Sequence, residues 1–113
     1  MIKIIVDMRG DEIVKVTAKG HAGYAKYGKD IVCSAASAIM QTALMGLIDV
    51  YGESQKYEKN DENGYLRFSV PEEKTETERV KEQAVLRAMY LGLKDLEAGF
   101  KANLKMEVNT LCL

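Results

Sequence analysis

Between Ile31 and Val50 the apolar residues recur at steps of three and four: Val32, Ala36, Ile39, Ala43 and Leu47, with Ile31, Ala35, Met40, Leu44 and Ile48 widening the stripe. A stripe that broad belongs to a helix buried over much of its surface, and such a helix needs a second layer to cover it. The preceding residues supply one. Ile2, Ile4, Val6 and Met8 alternate with Met1, Lys3, Ile5 and Asp7, and residues 12 to 19 alternate again with Val14, Val16 and Ala18 on one side. A period of two marks strands with one buried face, and the "RGDE" turn between them predicts a hairpin.

Beyond the helix, residues 51 to 64, "YGESQKYEKNDENG", have loop chemistry. "YLRFSV", residues 65 to 70, alternates as a third strand and stops at Pro71, the single proline. From Glu72 to Phe100 an amphipathic helix with an acidic first half places Val80, Ala84, Ala88 and Leu91 on one side and Val85, Met89, Leu93 and Leu96 beside them. Leu104, Met106 and Val108 then alternate with Lys105, Glu107 and Asn109 as a closing strand. The order ββαβαβ predicts an α/β (α+β) two-layer fold, a four-stranded sheet with both helices on one face. The other face is left open to solvent or to a second copy of the chain.

With 113 residues the expectation is one domain spanning 1–113. A net charge of −1 and a pI near 5.9 give no basic excess to attract phosphate backbones, so nucleic acid is disfavoured as a ligand. Lys3 and Asp7 interrupt the apolar residues of "MIKIIVDMRG", which is not a signal-peptide pattern, and no apolar run reads as a membrane span. These features point to the cytoplasm. There Cys33 and Cys112 are expected as thiols, Cys112 as a packing residue in an apolar tail. One His and no CxxC give no zinc signature, and no cofactor is implied.

The chemistry concentrates in residues 20 to 37, "GHAGYAKYGKDIVCSAAS", which hold the only His and one of the two Cys. Asp30 precedes the long helix as a favoured cap, placing Cys33 in its first turn, where the positive end of the helix dipole favours thiolate. His21, at the end of the second strand, can face that helix start and take the thiol proton, while helix-start N–H groups can hold an oxyanion. Gly20, Gly23 and Gly28 allow a loop that closes over a substrate, with Tyr24 and Tyr27 in contact with it. Ser37 and Gln41 follow Cys33 at one-turn intervals on the same side of the helix. The alternatives are a core cysteine, a hydrogen-bonded surface histidine, a purely capping Asp30, a packing Ser37 and a surface loop whose glycines serve turns.

This stretch resembles the signature of the ribosomal-processing cysteine proteases, the Prp or YsxB-like family: Gly-His-Ala at a strand end, then Gly-x-Asp-x-x-Cys, small residues and a serine. Gly20, His21, Ala22, Gly28, Asp30, Cys33 and Ser37 match it. The resemblance implies a Cys/His protease that removes a short N-terminal extension from protein twenty-seven of the large ribosomal subunit. It implies Cys33 as nucleophile, His21 as general base and acid, Asp30 as support for the site and Ser37 as part of its lining. It also implies a homodimer. A rival from another class is a non-catalytic ribosome- or RNA-associated binding module. "GHAG", residues 20 to 23, fits the GxxG loop that clamps RNA, although no basic residue occupies its middle.

Overall fold

The computed structural model of the chain describes residues 1–21, 23 and 30–111. Strands β1 (Ile2–Arg9) and β2 (Glu12–Lys19) form the expected hairpin, with a bulge that shifts the register after Asp7. Helix α1 (Ile31–Tyr51) leads through a short 3-10 turn (Gly52–Ser54) to β3 (Lys56–Asn60) and β4 (Tyr65–Ser69); α2 (Glu76–Gly99) and β5 (Leu104–Thr110) complete the order. The sheet runs β3-β4-β2-β1-β5. Neighbours are antiparallel except β1 and β5, which are parallel.

The sheet therefore has five strands rather than the expected four, because β3 lies inside the segment read as a loop. Its sequence, "KYEKN", is exposed at every position, so it has no buried face to leave an apolar alternation. Backbone pairing with β4 makes it a strand, Lys56 opposite Ser69 through Asn60 opposite Tyr65. A short, charged edge also discourages pairing with a foreign chain.

Both helices pack on one face of the sheet over one core. Val32, Met40 and Leu47 of α1 and Leu86 and Leu93 of α2 meet Ile4, Val6, Val16, Phe68 and Leu104 of the strands, all nearly inaccessible to solvent. By length and apolar composition the stretch Ile31–Ser54 could cross a membrane, contrary to the sequence expectation. In the fold its apolar face is the one that covers the sheet.

The second helix starts later than expected, and of the two expected apolar lines only that of Val85, Met89, Leu93 and Leu96 turns toward the core. It begins at Glu76, because Thr75 and Glu78 form a reciprocal capping box: the Glu78 N–H donates to Thr75 Oγ1 at 3.1 Å and the Thr75 N–H to Glu78 Oε1 at 2.8 Å. Its buried line is Glu82, Leu86, Met89 and Leu93, whereas Val80 and Leu91 are 59% and 57% exposed. A buried carboxylate occupies a place that an apolar pattern cannot mark. Glu82 accepts from Tyr51 Oη at 2.6 Å and Gln83 Nε2 at 2.7 Å, and pairs with Lys74 Nζ at 2.7 Å. Burial, then the Glu82 contact, push the Tyr51 phenol far above the usual tyrosine range.

The open sheet face carries cross-strand ion pairs. Lys3 meets Glu107 at 3.4 Å, Lys15 meets Asp7 at 3.8 Å, and Arg67 meets Glu58. Asn109 Nδ2 also donates to Asp7 Oδ1 at 3.2 Å.

Candidate active site

A cleft of about 240 Å³ lies between the N-terminal half of α1 and the β2, β4 and β3 end of the sheet. Ile2, Ile4, Ala18, Ala36, Met40 and Leu66 give it an apolar floor; His21, Cys33, Ser37, Gln41, Lys59, Asp61 and Tyr65 supply polar groups around it. Of the residues singled out from the sequence, Gly20, His21, Cys33 and Ser37 line this cleft. His21 arrives because β2 ends at Lys19; Cys33, Ser37 and Gln41 arrive because α1 presents one residue per turn to the same side.

Asp30 caps α1 as expected. It is buried, with extended backbone (φ −81°, ψ 103°), and its Oδ1 accepts from the Val32 and Cys33 N–H groups, each at 3.0 Å. The Ser34 N–H donates to the Asp30 carbonyl, also at 3.0 Å. This corrects one part of the expected chemistry. The amides of Val32 and Cys33 are engaged by a carboxylate that partly offsets the positive end of the helix, so oxyanion donors must come from outside that pair.

Gly20 is required by its surroundings. Its φ is +93°, and a Cβ there would lie 2.4 Å from the Met1 carbonyl oxygen. The Gly20 N–H donates to the Gly64 carbonyl at 2.8 Å, stitching the end of β2 to the β3–β4 turn. Tyr24, Tyr27 and Gly28, read as substrate contacts, and the closing loop 22–29 as a whole fall outside the described residues, apart from Gly23. Cys112 falls outside them too.

Sequence reading missed the contribution of β3 and its turn. Gln41 Nε2 donates to Ser37 Oγ at 2.6 Å, Lys59 Nζ donates to Gln41 Oε1 at 3.0 Å, and Lys59 pairs with Asp61 at 3.6 Å. This chain spans the cleft rim from helix to edge strand. The available signal was "NDENG" immediately before an alternating stretch, a turn composition that implies a preceding partner strand.

A thiol on the first turn of a helix and an imidazole at a strand end share one cleft in a two-layer α+β fold, the residue types that nucleophilic Cys/His chemistry requires. The family model for cysteine protease Prp matches residues 1–105, and the chain belongs to that family of cysteine proteases. It is 28% identical over 99 residues to the ribosomal processing cysteine protease Prp of Bacillus subtilis (strain 168), covering 88% of each chain. To its counterpart from Staphylococcus aureus (strain Mu50 / ATCC 700699) it is 27% identical over 106 residues, 91% of this chain and 96% of that one. Two crystal structures of the S. aureus protease share the fold. The complex with a covalently linked product peptide superposes with a TM-score of 0.83 at 24% identity, covering 96% of this chain and 100% of the other. The complex with a substrate peptide gives 0.77 at 23% identity, with the same coverage.

Proposed function

We propose that this cysteine protease removes a short N-terminal extension from protein twenty-seven of the large ribosomal subunit, with Cys33 as nucleophile and His21 as general base and acid. The observation that carries the reading is that His21, from the end of β2, and Cys33, from the start of α1, line the same cleft. Its apolar floor suits a hydrophobic side chain next to the scissile bond. The relatives from B. subtilis and S. aureus are ribosomal processing proteases, which supports a ribosomal substrate here.

In this mechanism His21 takes the Cys33 thiol proton and the thiolate attacks the peptide carbonyl carbon. The imidazolium then returns the proton to the leaving amine as the C–N bond breaks. Water attacks the thioester, His21 accepts the water proton, and the thiolate leaves with the carboxylate product free. The same reading places the enzyme in the cytoplasm, where ribosomal proteins are matured, and as a homodimer.

The test is incubation of the purified protein with the extended ribosomal protein, beside Cys33→Ala, and measurement of the product masses. A single truncation by the parent alone is expected. An uncut substrate, or equal cutting by the variant, would overturn the proposal.

A further inference from the structure

His21 does not meet the cleft with a bare ring. Its Nε2 lies 3.4 Å from the main-chain carbonyl oxygen of Glu62, in the turn that joins β3 to β4. A carbonyl oxygen can only accept, so Nε2 is the donor in this contact. A neutral imidazole carries one such proton, which leaves Nδ1 with the basic lone pair.

The turn is built to hold that carbonyl in place. The Asn63 N–H donates to Asn60 Oδ1 at 3.1 Å, the Gly64 N–H to the Asp61 carbonyl at 3.3 Å, and the Gly20 N–H to the Gly64 carbonyl at 2.8 Å. The last bond ties the turn to the residue immediately before His21. Gly64 has φ +61°, and a Cβ on it would stand 2.5 Å from the Gly20 carbonyl oxygen and 2.9 Å from His21 Cε1. The edge of the imidazole therefore rests against the Gly64 backbone, at a distance no other residue allows.

We propose that the turn Asp61–Gly64 positions the general base, the Glu62 carbonyl orienting His21 in the Nε2–H form and Gly64 providing the seat for its ring. The inference rests on the Cys33/His21 reading and adds the orienting group to it. When the Cys33 proton moves to Nδ1, the ring becomes a cation with both nitrogens protonated, and no bond to Glu62 breaks. The carbonyl contact then becomes charge-assisted and shortens. Because the orienting oxygen belongs to the main chain, replacing the Glu62 side chain leaves it in place.

The single histidine makes the test direct. Long-range ¹H–¹⁵N correlation of the imidazole in the full chain, near neutral pH, reads which nitrogen carries the proton. The Nε2–H form should dominate in the parent, and Gly64→Ala should lose that bias. The same variant should lower kcat by roughly 10- to 100-fold, the scale of a misplaced reacting group, while KM changes less than about twofold. Asn60→Ala, which removes a turn bond away from the ring, should fall between parent and Gly64→Ala in both readouts. An Nδ1–H imidazole in a parent that cleaves its substrate would overturn this inference alone, as would Gly64→Ala with parental kcat and spectrum. A parent that cleaves nothing would overturn the protease reading instead, and the tautomer of the parent needs no variant to fold.

Discussion

Asp30 shows how one side chain supports both a helix start and the proposed nucleophile carried on it. Its carboxylate satisfies two amides of α1, one of them that of Cys33, so it fixes both the helix start and the backbone that carries the thiol. Loss of such a cap costs about 0.5–2 kcal/mol, whereas Asn caps as well as Asp. We therefore expect Asp30→Ala to lower thermal stability by about 1 kcal/mol and to lose activity, and Asp30→Asn to regain the stability; denaturant titration beside peptide cleavage separates the two effects. The rim chain from Lys59 through Gln41 to Ser37 makes a different prediction. Lys59→Ala should raise KM about threefold to tenfold, the worth of roughly one hydrogen bond, with little change in kcat, in steady-state kinetics on the substrate peptide.

Among the secondary-structure elements, the close approach of the two helices is set by glycines with unequal room. A Cβ on Gly46 would stand 3.1 Å from Val85 Cγ1, while one on Gly92 would stand 3.5 Å from Ile39 Cδ1, an ordinary contact. Alanine is favoured over glycine in a helix by about 1 kcal/mol, so Gly92→Ala should raise the Tm. Gly46→Ala should gain less or lose, because the stiff Val85 must move. Calorimetry of the two variants checks the order. Glu97, near the end of α2, ties that helix to the edge strand by accepting the Met106 N–H at 2.6 Å. This bond, with help from Lys94, holds its carboxyl below the ordinary glutamate range. A depressed carboxyl contributes stability at pH values above its unfolded value, about 4.3, and the contribution is lost as pH falls through the folded value. Glu97→Gln should therefore show a shallower loss of Tm between about pH 5 and pH 3 than the parent.

Across the whole molecule, the end opposite the cleft is held by Glu82. It joins Tyr51 at the end of α1 to Lys74 in the connection from β4, while the neighbouring Gln83 bridges to Ile13 of β2 through its Oε1 and Nε2, each at 2.9 Å. Removing one partner of a buried pair strands the other, at a cost of about 3–5 kcal/mol. We expect Glu82→Ala to destabilise the fold by that amount, read by urea unfolding, and Glu82→Gln by less, because the amide oxygen can still accept from Tyr51 and Lys74 although the counter-charge to Lys74 is lost. Such a loss would leave the chemistry of the cleft untouched in whatever fraction remains folded.

The sequence alone determined the order of the main elements, because each of β1, β2, α1 and β4 buries one face and so carries its own period. It also singled out the proposed pair, since one histidine and one helix-start cysteine leave few combinations. The tertiary structure decided the rest. Strand β3 has no buried face and exists through its pairing with β4; the buried line of α2 follows from where Glu82 finds Lys74 and Tyr51. The occupation of the α1 amides by Asp30, the bridge from Lys59 to Ser37 and the carbonyl beside His21 are likewise contacts of shape. They depend on main-chain atoms and on residues brought together from distant positions, and neither composition nor periodicity records where a backbone carbonyl points.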